Sequence, residues 1–235
     1  MILEFGGIPY TDVSVTQFFS GKSWPEVKAA KLVPYSQLPV LSVDGQLLAQ
    51  EAAISRFCAS LVPQLIPSDP FLGAKCDGIY TAAEEISSCN PIVNVFKGEQ
   101  FEAKKAEFFG TTFPPRLENL ARLMDESGGP FTMGSTPYYC DFKVYHQLCN
   151  ARSLEPDVLQ GCPPCLPSCR QSRTCLGSRS TSQRDLFPWT LELSRCWTLP
   201  SAALATWRLP QWGRANQSRR SKKPDLARGC KEHAK

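Results

Sequence analysis

A small α/β domain followed by an all-α domain is the architecture that the sequence predicts, and three observations carry it. The segment YSQLPVLSVDGQLLAQEAAISRFCA, from Tyr35 to Ala59, reads as strand, turn, strand, turn and helix. A Pro-rich linker, Pro63 to Pro70, follows it. Beyond the linker the apolar period is helical until about residue 160. The expected divisions are therefore 1–62 for the α/β domain, 63–70 for the linker, 71–160 for the helical domain and 161–235 for a tail.

Each element has a local reason. Met1 to Phe5 reads as the end of a helix, closed by Gly6-Gly7. Ile8 to Val15 alternates apolar and polar residues, as a short strand does. Ser23 can cap a short helix with Pro25 in its first turn. Pro39 to Val43 and Gln46 to Ala49 predict a hairpin around Asp44-Gly45. Glu51 to Leu61 is amphipathic, with Ala52, Ile54, Phe57, Cys58 and Leu61 as its apolar members. Three helices are then predicted. One runs from Pro70 to Val95 with a bend at Pro91, one from Glu99 to Asp125, and one from Tyr138 to Ala151. Gly128-Gly129-Pro130 separates the last two.

Composition marks the tail. Residues 161–235 hold 14 Lys+Arg against 4 Asp+Glu, a net of +10, whereas residues 1–160 carry a net of −6. The tail also has 6 of the 11 Cys and 4 of the 5 Trp, and abundant Pro, Ser and Arg. Without an apolar period, weak order or none is expected there. No stretch approaches the ~20 apolar residues of a membrane span, and MILEFGGIPYTD has no leader pattern. The expected compartment is the cytoplasm, with the cysteines reduced. Cys162, Cys165, Cys169 and Cys175 lack a second well-spaced pair, so no metal is expected. Arg219, Arg220, Lys222 and Lys223 read as a charged tail, and no nucleic-acid partner is expected.

The candidate chemistry lies between residues 24 and 51. Pro39 follows Leu38 at the entrance to a strand. It is either an ordinary trans proline or a cis bond that presents the preceding backbone groups to a ligand. Gln50 and Glu51 stand where the hairpin passes into a helix. A helix N-terminus suits a ligand carboxylate, although Glu51 can equally be an early acid that offsets the dipole. Trp24 and Lys28 are four residues apart and share a helical face. They read as a carboxylate clamp or as a half-buried Trp beside a solvated Lys.

Together, GGIPYTDV, SWPEVK, SQLPVLSVDG, LLAQEAAISRF and GSTPYYCDF resemble the glutathione transferase family, most closely its sigma class of prostaglandin D synthases and lens S-crystallins. The resemblance covers roughly residues 1–160. It implies a thioredoxin-like N-terminal domain, an all-helical C-terminal domain, a homodimer, and glutathione as co-substrate with a small hydrophobic electrophile. It places Trp24 and Lys28 near the glycyl carboxylate, Gln37, Leu38 and Pro39 against the cysteinyl backbone, and Gln50 at the γ-glutamyl end. Glu85 would contact glutathione bound to the partner subunit. Conjugation, lipid isomerisation and peroxide reduction are the implied activities.

Three departures from the family pattern have consequences. Glu51 stands where the family commonly has a Ser that donates to the γ-glutamyl carboxylate. An unpaired acid there repels the ligand and predicts weaker binding. Met1 aligns inside the family's first helix, so the sheet is expected to lack its first, central strand and the Tyr that stabilises the glutathione thiolate. No catalytic residue is assigned for that reason, and a non-catalytic glutathione-binding or crystallin-like protein is the alternative. Asp141 matches a helix-capping Asp, but Tyr138 replaces the expected Ser or Thr, so a capping hydroxyl is expected to be missing.

Overall fold

A computed structural model describes residues 1–95, 98–160, 162 and 195–199 of the chain. The expectations for Cys165, Cys169, Cys175 and the basic group from Arg219 to Lys223 lie outside these residues.

The N-terminal elements are α1 (Ile2–Phe5), β1 (Thr11–Ser14), α2 (Val15–Phe18) and α3 (Trp24–Ala29). Then come β2 (Val40–Val43), β3 (Gln46–Ala49) and α4 (Glu51–Ser60). The first strand is shorter than the alternation suggested, because Ser14 turns the chain into α2. Its backbone N–H donates to Gln17 Oε1 at 3.1 Å, and its hydroxyl accepts from Gln17 N–H at 3.3 Å. Ser23 begins α3 with its N–H donating to Glu26 Oε2 at 2.7 Å. Asp44 and Gly45 have φ of 50° and 79°, the left-handed pair that a two-residue hairpin needs.

Val40 and Leu41 are fully buried because β2 is covered on both faces. Val40 belongs to a cluster with Val15, Val27, Val33 and Ala49. Leu41 belongs to the main core with Leu3, Ile8, Ile54, Cys58 and Leu65.

The sheet has four strands in the order β1-β4-β2-β3. The expected vacancy in its centre is filled by β4 (Arg195–Leu199), which is antiparallel to β1 and parallel to β2. Cys196 pairs with both Val13 and Val40. Five tail residues are thus a strand where weak order was expected, and β1 and β2 do not have the bare inner edges foreseen for them. Backbone pairing with strands distant in sequence, invisible to local periodicity, overrides the weak composition signal.

The helical part comprises α5 (Pro70–Cys89), α6 (Pro91–Asn94), α7 (Glu99–Glu107), α8 (Phe113–Ser127) and α9 (Tyr139–Leu154). Asp69 caps α5 by accepting from the N–H groups of Phe71 and Leu72 at 2.7 and 2.9 Å. The bend foreseen at Pro91 is a full break. Asn90 is extended, and its Oδ1 accepts from Ile92 N–H at 2.9 Å to start α6. The second long helix is interrupted by one π-type turn, Phe108–Thr112. Pro114 and Pro115 cannot donate to the carbonyls four residues earlier, and the wider turn accommodates them. Gly128, with φ of 66°, closes α8.

The core of this part is the packing of α5 on α9. Cys76, Ala83, Ile86, Val144, Leu148 and Ala151 are fully buried there. Their mostly small or branched shapes allow close approach at native density. No side-chain hydroxyl caps α9, as expected, and Thr132 from the preceding turn instead donates to Asp141. Asp141 Oδ1 accepts from both the backbone N–H and the hydroxyl of Thr132, each at 2.7 Å, and Oδ2 accepts from Tyr138 N–H at 2.8 Å. Gly129 makes this turn possible: a Cβ on it would lie 2.3 Å from the Gly134 backbone.

Candidate functional site

The candidate site is built on the N-terminal end of α4. Gln50 precedes the helix at φ 76°, a conformation costly for a residue with a Cβ. Its side chain does not cap the helix, so the first-turn N–H groups lack a side-chain acceptor. Instead Gln50 Nε2 donates to Gln37 Oε1 at 2.8 Å, bridging α4 to the loop before β2. That loop also carries left-handed Tyr35 and Ser36, with φ of 58° and 50°, and Tyr35 is 74% exposed. The Leu38–Pro39 peptide bond is cis. Gln37, Gln50 and Glu51 therefore surround a helix terminus with donors available.

Glu51 is not the unpaired acid that its position suggested. Lys143 Nζ, from α9, donates to Glu51 Oε1 at 2.7 Å. The Lys143 side chain is 2% exposed and that of Glu51 39%. The ammonium also lies 5.5 Å from the Tyr80 ring centroid, close enough for a cation–π contact. Tyr80 OH sits 3.0 Å from Ser55 Oγ and 3.4 Å from Glu51 Oε1. Burial, with the Glu51 charge beside it, pushes the Tyr80 hydroxyl pKa far up, so it stays protonated. Local spacing could not reveal this group, because Lys143 is distant in sequence and looks like an ordinary solvated helical lysine.

On α3, Trp24 is half-buried and Lys28 exposed, with Lys28 Nζ 5.7 Å from the Trp24 ring centroid. Leu38 packs against the smaller core cluster together with Trp24. Glu85 stands apart from these residues in its bonding: it lies on α5 and is 3.8 Å from Arg116 Nε of α8. Cys58, on α4, is buried, which pushes its thiol up to about 12 and leaves it unreactive. Among the described residues, no group of three or more His, Cys, Asp or Glu could hold a metal ion. Among them also, no helix is long and apolar enough to cross a membrane.

A sheet domain with a ligand-ready helix terminus, joined to a helical domain, is the arrangement of thioredoxin-like proteins with an appended helical domain. Residues 88–171 match the family model described as glutathione S-transferase, C-terminal domain. Glutathione S-transferase 1 of Ascaris suum is 27% identical over 165 residues, 68% of this chain and 77% of that protein. The human hematopoietic prostaglandin D synthase is 25% identical over 166 residues, 69% and 76% of the two chains. Among solved structures, rat hPGDS complexed with a quinoline superposes with a TM-score of 0.65 at 19% identity, covering 77% of this chain and 90% of that one. The chain is thus similar to glutathione S-transferases along most of its described length, and residues 88–171 match the C-terminal domain of that family.

Proposed function

We propose that this protein binds glutathione at the N-terminal end of α4 and conjugates it to small hydrophobic electrophiles. The observation that carries the reading is the meeting of Gln37, Gln50 and Glu51 at a helix terminus without a side-chain cap. Free N–H groups and the positive end of the helix dipole favour the γ-glutamyl carboxylate there. Gln50 then hydrogen-bonds the γ-glutamyl end, and Gln37, Leu38 and Pro39 meet the cysteinyl backbone. Trp24 and Lys28 hold the glycyl carboxylate. The relatives named above support the sigma-like assignment. On that reading the protein is a cytoplasmic homodimer in which Glu85 reaches the partner's ligand. Lipid isomerisation and peroxide reduction are further activities of the same thiolate.

A second reading is a non-catalytic glutathione binder. It is favoured by the tyrosines, several of which are already engaged. Tyr10 OH donates to Glu4 at 3.0 Å, Tyr80 OH pairs with Ser55, and Tyr139 OH donates to Asp77. A thiolate with no hydroxyl donor keeps an ordinary thiol pKa and reacts slowly at neutral pH.

Retention on immobilised glutathione, followed by conjugation to an aryl halide, separates the two. The enzyme reading expects retention and turnover, with Gln50→Ala weakening binding about tenfold through loss of one hydrogen bond to a charged ligand. Retention without turnover selects the binder. Failure of the wild-type chain to be retained overturns both.

A further inference from the structure

We propose that Lys143, on α9 of the helical domain, is a positioning residue for glutathione: it holds Glu51 in an ion pair, so that the γ-glutamyl carboxylate can lie beside an acid. The inference rests on the glutathione reading of the α4 terminus. It adds a residue from the second domain to a site otherwise made by the first.

The geometry leads there in three steps. A lysine with 2% of its side chain exposed is costly unless its charge is met. Glu51 Oε1, at 2.7 Å, meets it, and the Tyr80 face adds a weaker attraction. Glu51 in turn begins α4, where the incoming carboxylate would sit, and keeps 39% of its side chain exposed. Without the ammonium, two like charges would share one helix terminus, and the dipole alone would have to offset their repulsion. With it, Lys143, Glu51 and the ligand carboxylate alternate in sign. A buried cation therefore does indirectly what a neutral hydrogen-bond donor at position 51 would do by contact.

The test is a titration cycle on the full chain with two ligands. One is glutathione; the other is 4-aminobutyryl-Cys-Gly, which lacks only the γ-glutamyl α-carboxylate. Lys143→Met is expected to raise the dissociation constant for glutathione at least about tenfold, as for removal of one partner of a buried charge pair. The analogue should change by less than about twofold, because the repelled group is absent. Lys143→Met/Glu51→Gln should bring glutathione back to within about threefold of wild type. Glu51→Gln keeps an amide oxygen as acceptor for Lys143 and removes the negative charge beside the ligand, so it should bind glutathione at least as tightly as wild type.

Equal weakening for both ligands would make Lys143 a structural residue only and overturn the inference, as would failure of the double variant to rescue. If Lys143→Met does not fold, Glu51→Gln decides alone, and a loss of more than about tenfold for glutathione overturns the inference. An unchanged Lys143→Met affinity would do so while leaving the glutathione reading intact. A wild-type chain that binds neither ligand would overturn that reading and this inference with it.

Discussion

Asp141 accepts three hydrogen bonds while only 3% exposed. Burial raises its pKa against the pull of the donors from Thr132 and Tyr138. Asp141→Ala would leave those donors buried without their acceptor. A loss of about 3 kcal/mol in urea denaturation is expected, and a loss under about 1 kcal/mol would show that water replaces the carboxylate. Glu51, as a departure at a helix start, and Asp141, as a capping acid whose neighbour Tyr138 departs from the pattern, were both visible in the sequence. Their partners were not, because Thr132 precedes its helix by a separate turn and Lys143 belongs to another domain. Spacing identifies which residue must be satisfied but not the distant residue that satisfies it. The same gap explains Glu85, where sequence placed an acid on α5 but only the fold gave it Arg116.

At the scale of elements, the hairpin, α4 and the helical run after the linker were legible because each carries its own periodicity and punctuation. Asp44-Gly45 and Gly128 required the left-handed conformations that they adopt. The π-type turn before Pro114-Pro115 and the strand β4 were not legible. RCWTL does carry strand-forming Trp and Thr and is followed by Pro200, which is a weak signal of its own. Its place between β1 and β2 is a long-range property of the backbone. Thr198→Pro removes an N–H from a central strand. Hydrogen exchange should then show the amides of residues 11–14 and 40–43 losing protection, while α5 and α9 keep theirs. Unchanged protection in β1 and β2 would mean that β4 does not hold them together.

For the molecule as a whole, acid stability follows from His146 on α9. Burial pushes its imidazole down to about 4; Lys143 acts in the same direction and Glu51 against it. The unfolded chain takes up a proton near the ordinary value of about 6.5, before the folded chain does. Stability therefore falls as pH is lowered from about 6.5 to about 4, by up to about 1.4 kcal/mol per pH unit from this one group. Urea midpoints at pH 7, 6 and 5 should show the decline, and His146→Gln should flatten it. Equal slopes in the two proteins would remove His146 from the account. The order of the strands bears on how such a molecule is made. The sheet's second position is taken by the last of its strands to be synthesised, so β1 and β2 leave the ribosome with no partner between them. Both helical neighbours in the second domain, α5 and α9, are complete before that partner exists. Nascent β1 and β2 must wait, with open edges available to chaperones or to other chains, until residue 199 has emerged.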